Sequence, residues 1–106
     1  MTIKSKRIHL IETDPNRLTL LEKQDWESGS WNLIEAKAKQ LVGGSILFHK
    51  KKREPSFFGG VILNYRIQDK AVLKGQVIFK FQYLADHRNV ATDNKGWSGD
   101  MKVVLK

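Results

Sequence analysis

With 106 residues the chain has room for one hydrophobic core, read here as a single domain over 1–106, and with no cysteine it excludes disulfides and cysteine-type zinc sites. A composition 41% hydrophobic and 28% charged is that of a folding chain, and no segment approaches the roughly 20 apolar residues of a membrane span. The net charge of +8 is unevenly placed: residues 12–35 carry six acids against Arg17 and Lys23, while 36–106 carry fourteen Lys/Arg against five acids, which favours a polyanionic partner; no membrane partner is expected, for want of a spanning segment.

Arg7 to Glu12 reads as a first strand, built on Ile8, Leu10 and Ile11. The opening MTIKSKRIHLIE has too short an apolar run for a signal core, so a cytoplasmic location is the default. Asp14-Pro15 starts a turn or short helix, with Leu18 and Leu21 on its buried face. Gln24 to Ser30 is a polar connection. Asn32, with Glu35 three residues on, predicts a capping box opening a helix over Asn32–Val42. Gly43-Gly44 stops that helix, because glycine accepts the left-handed conformation of a helix end.

SILFH is the second strand, and four consecutive cations, Lys50 to Arg53, follow it in a loop. Phe57 to Ile67 is the third, with Gly59-Gly60 marking a bulge or a close approach by another backbone. Gln76 to Leu84 alternates, placing Val77, Phe79, Phe81 and Tyr83 on one face. Asp86 to Gly96 is a polar loop, Trp97 follows it, and Met101 to Leu105 is the last strand. The expected fold class is α+β, mainly β: a small, mostly antiparallel barrel of five or six strands with one or two flanking helices.

The run of helix, LVGGSILFH, loop and FFGGVILNY resembles the central element of PUA-like barrels, especially the EVE and ASCH branches. The aromatic stretch GSWNL before the helix is also similar, and the likeness covers Ser30 to Ile67, about half the chain. Ser45 stands where the family often has the acid of a Gly-Asp turn. The resemblance implies a nucleobase pocket, often for a modified base, between sheet and helix, with DNA or RNA across a basic rim.

Such a pocket needs flat stacking walls and hydrogen-bonding groups for a base edge. Trp31 and Trp97 are the first candidates, then Phe57 or Phe58, one of which must point inward by strand alternation. Asn64, His87 and Asn89 are candidates for the base edge. Lys50, Lys51, Lys52 and Arg53 are candidates for phosphate, joined by Arg88 and Lys95 if both loops lie at one end. His9, His49 and His87 stand alone in sequence, so no metal site and no cofactor is expected. No Gly-x-Ser-x-Gly elbow or other catalytic motif is present. The expected protein is a nucleic-acid-binding module, monomeric or weakly dimeric, with DNA, RNA or a nucleotide as partner. Two alternatives stay open: a small ASCH-like hydrolase of modified nucleosides, or a protein-interaction or regulatory subunit.

Overall fold

The computed structural model describes residues 5–70 and 74–105. Eight strands form one mixed sheet: β1 (Arg7–Ile11), β2 (Thr19–Glu22), β3 (Asp25–Trp31), β4 (Ser45–His49), β5 (Ser56–Ile67), β6 (Val77–Tyr83), β7 (Trp97–Ser98) and β8 (Met101–Val104). Their order is β2-β3-β6-β5-β4-β1-β8-β7, with β1 and β4 parallel and the other neighbours antiparallel. One helix, α1 (Glu35–Leu41), packs on one face, and short 3-10 turns occur at Pro15–Arg17 and Ala85–His87. No helix among the described residues is long and apolar enough to cross a membrane.

The mainly-β class stands, but the barrel does not. The sheet is open, with eight strands rather than five or six, and the PUA-like, EVE or ASCH resemblance is overturned with it. Of the three extra strands, the two-residue β7 pairs with β8, and β2 and β3 come from 19–31, which reads locally as helix and polar connection. There β3 pairs along β6, with Trp26 opposite Phe81 and Trp31 opposite Val77. Leu21, expected on a buried helical face, is instead 45% exposed on the edge strand β2. The capping box also fails. Helix α1 begins at Glu35 with Ile34 as an uncapped N-cap, and Glu35 instead accepts a hydrogen bond from the Tyr65 hydroxyl at 2.7 Å.

Strand alternation divides the sheet into two faces. On one, Ile8, Leu10, Ile46, Phe48, Ile62, Phe79 and Phe81 form the core with Ala38 and Leu41 of α1. The expected close approach at Gly59-Gly60 is present. A Cβ on Gly59 would overlap the Ile46 carbonyl and meet the His87 Cβ at 3.2 Å, and one on Gly60 would overlap the Gln82 carbonyl. Lacking side chains, these residues let the Ala85–His87 turn lie on β5 and let β6 pair closely.

Candidate functional site

The face opposite the core carries a polar layer. Arg7 and His9 on β1, Ser45 and His49 on β4, and Lys102 on β8 share it, covered by the Ala85–His87 turn and the loop that follows. His9 is 1% exposed and His49 0%. The His9 Nδ1 and His49 Nε2 atoms lie 2.9 Å apart, and His49 Nδ1 lies 2.9 Å from the Glu54 carbonyl oxygen. A carbonyl only accepts, so His49 donates from Nδ1 and accepts at Nε2 from the His9 Nδ1–H. His9 Nε2 then accepts from the Arg7 Nε–H at 3.1 Å. This one-way chain needs both imidazoles neutral, and burial holds both below the usual histidine range, His9 at about 3. Sequence separation hid the pair: its members are 40 residues apart, on neighbouring strands. The Lys102 ammonium, 7% exposed, fastens the loop above by donating to Thr92 Oγ1 at 2.7 Å and Asp93 Oδ1 at 2.8 Å. That bond holds the Asp93 carboxyl below its ordinary range.

Further along β4, Ser45 Oγ lies 2.8 Å from His87 Nε2, and His87 Nδ1 lies 2.7 Å from Asp86 Oδ1. The order is that of a nucleophile, base and orienting acid. Its surroundings are those of a fastener. Ser45 is 0% exposed, and the backbone N–H groups of Gly43, Gly44 and Ser45 donate to Ile62, Leu41 and Lys6 carbonyls. None of the three is left to stabilise an oxyanion, and a substrate has no path to the hydroxyl. Nearby, Ser56 Oγ donates to the His87 carbonyl at 2.7 Å and accepts from the Val90 N–H at 2.9 Å. Ser56→Ala is therefore expected to cost about 1–3 kcal/mol, the usual penalty for stranding buried polar groups, and to speed amide exchange over residues 87–92. Unchanged exchange in that segment would show that the hydroxyl does not hold the loop.

The two basic loops lie at the same end of the sheet. Ser56 N–H donates to the Val90 carbonyl, and Asn89 N–H donates to the Ser56 carbonyl, so the chain after His87 runs beside the start of β5. Lys50, Lys51, Lys52, Arg53, Arg88 and Lys95 are all exposed. Lys52 Nζ sits 5.9 Å from the Trp97 ring centre and Lys50 Nζ 5.9 Å from that of Phe57. Trp97, half-buried, packs edge-on to His49 with centroids 5.9 Å apart.

The remaining base-contact candidates are dispersed. Trp31 is buried in the core with Ile8 and Leu10, whereas Trp97 packs on His9 across the sheet, so the two tryptophans lie on opposite faces and share no concavity. Phe58 stacks on Tyr83 at 4.7 Å and meets Trp26 and Phe81 edge-on. His87 is 1% exposed and committed to its hydrogen bonds. Asn89 is exposed at φ 62°, and Asn64 is exposed in the other half of β5, opposite Lys80.

A second feature lies on the core face, where the sheet curls β3 towards β8. Residues 31–37 form one wall of a cleft of about 600 Å³, and residues 96–103 form the other. Arg17 bridges the same region. It stacks 4.8 Å over Trp31, donates to the Ser30 carbonyl at 2.8 Å and lies 3.5 Å from Glu12 Oε2. Glu12, 2% exposed, has its other oxygen buried without a partner among the described residues, and burial pushes its carboxyl up. In sequence Glu12 only closes the first strand, with no sign of its burial, and the cleft walls are not legible because they lie far apart in the chain. No family model matches the chain, and neither a curated protein nor a solved structure matches it.

Proposed function

We propose that this protein binds the phosphodiester backbone of nucleic acid at the end of the sheet where the loops after β4 and after the Ala85–His87 turn meet. The observation that carries the reading is the seating of Lys50 and Lys52 over the rings of Phe57 and Trp97. Aromatic rings beneath cations restrict where the ammonium groups sit while leaving them open to solvent and to phosphate. Lys51 is partly neutralised by Glu54 at 3.9 Å, and the exposed Lys50, Lys52, Arg53, Arg88 and Lys95 supply most of the positive field. Trp97 offers its partly exposed edge beside them, the arrangement that single-stranded binders use to combine charge with stacking. A base pocket walled by both Trp31 and Trp97 forms no part of this reading, since they occupy opposite faces.

The test is the replacement of Lys50, Lys51, Lys52 and Arg53 by alanine, read with mixed-sequence oligonucleotides over a range of salt. Affinity is expected to fall, and the slope of log K against log[salt] to become shallower by about 0.7–0.9 for each phosphate that the loop no longer neutralises. The melting temperature should hold, because exposed charges contribute little to stability. Equal affinity and equal slope in the folded variant would make the loop a solvated face and end the proposal.

A further inference from the structure

We infer that the cleft between residues 31–37 and 96–103 is a binding site for a small zwitterionic amphiphile of the apolar α-amino-acid class. Its volume, about 600 Å³, falls in the range of small-molecule sites. The floor is apolar, from Trp31, Leu33, Met101 and Val103. Lys37 stands on the helical wall and Asp100 on the opposite wall, at the β7–β8 turn. Among the described residues neither takes part in an ion pair. Two uncommitted charges of opposite sign on facing walls, above an apolar floor, match a carboxylate and an ammonium joined to an apolar side chain. Trp31 is 7% exposed, and among the described residues its buried indole N–H has no acceptor. This site is independent of the nucleic-acid face, because Trp97 turns to the other side of the hairpin whose Gly96, Ser98 and Asp100 line the cleft.

The experiment titrates isotope-labelled protein with L-phenylalanine, 3-phenylpropionate and phenethylamine, following amide shifts. L-phenylalanine is expected to move residues 31–37 and 96–103 and to bind most tightly. Each analogue, lacking one charge, should bind about 5- to 10-fold more weakly, as for charge-assisted hydrogen bonds partly open to water. Lys37→Ala should reduce L-phenylalanine to the affinity of phenethylamine without weakening phenethylamine further, and Asp100→Ala should do the same with respect to 3-phenylpropionate. Val103→Trp, which fills the floor, should abolish all three. The quadruple alanine variant of the basic loop should leave all three unchanged, which separates this site from the nucleic-acid proposal. Shifts elsewhere on the protein, no saturable shifts at millimolar ligand, or affinities indifferent to either charge would each overturn the inference.

Discussion

Gly60→Ala is expected to remove about 3–5 kcal/mol of stability, a large share of the roughly 5–15 kcal/mol available to a domain of this size. A methyl group on Gly60 would occupy the position of the Gln82 carbonyl oxygen, and the next nearest atoms are also backbone, Gln82 C at 2.6 Å and Tyr83 Cα at 3.0 Å. Backbone in a paired strand cannot turn aside as a side chain can. β5 and β6 would have to separate where Gly60 faces Tyr83 and Val61 faces Gln82, opening the middle of the sheet. Gly29→Ala is the matched control, since its nearest neighbours are the Nε, Nη2 and Cζ atoms of the flexible Arg17 side chain. Moving Arg17 aside should weaken its stacking over Trp31, its hydrogen bond to the Ser30 carbonyl and its approach to Glu12, together about 1–2 kcal/mol and less than the loss at Gly60. Denaturant unfolding of both variants checks the pair. Equal, small losses would mean that β5 and β6 do not approach as closely as Gly60 requires.

Acid should destabilise the protein well above the carboxylate range, with His9 as a main cause. Burial, then the neighbouring His49, Arg7 and Lys102, lower its pKa from the ordinary 6.5 to about 3, and Asp93 opposes them weakly. Above about pH 6.5 the ring is neutral in both folded and unfolded chains and adds nothing to the pH dependence. Below it the unfolded chain takes up a proton that the folded chain refuses. Stability therefore falls by about 1.4 kcal/mol per pH unit towards pH 3 and levels off beneath, a loss on the order of 5 kcal/mol from this residue. His49, lowered by burial, acts in the same direction. Glu12, raised by burial, works against them, because the folded chain takes up its proton more readily as the pH falls. His9→Gln keeps a donor for His49 and removes the titration. The difference in unfolding free energy between variant and parent, followed from pH 7 to 4, should shift steadily in favour of the variant. Parallel curves over that interval would remove His9 from the account.

The alternation of Ile8 and Leu10, of Val77, Phe79 and Phe81, and the SILFH run were enough to place β1, β6 and β4. Each residue there carries its own preference for water or core, and that preference repeats with the period of a strand. The Gly43 stop, at φ 87°, was readable for the same local reason, and so was the gathering of positive charge beyond residue 36. β2 and β3 were not readable. DWESGSW lacks an apolar run, and its two tryptophans become strand residues only when β6 sets Phe81 and Val77 opposite them. The Asn32–Glu35 capping signal lost because the chain leaving β3 stays extended to Ile34, burying Leu33, while Tyr65 takes up the Glu35 carboxylate.

The candidate sites divide along the same line. The sequence by itself determined which residues carry charge and aromatic surface, and that Lys50 to Arg53 lie in a loop beside Phe57. Only the tertiary structure decided that Lys52 reaches Trp97, that His9 meets His49 across parallel strands, and that Trp31 and Trp97 part to opposite faces. It also decided that the sheet stays open, with β2 and β7 as its edges, and that residues 31–37 and 96–103 come together as the walls of a cleft. The physical reason is range. Burial period and charge belong to residues one at a time, whereas pairing, register and closure are set by contacts between residues tens of positions apart, which no local pattern contains.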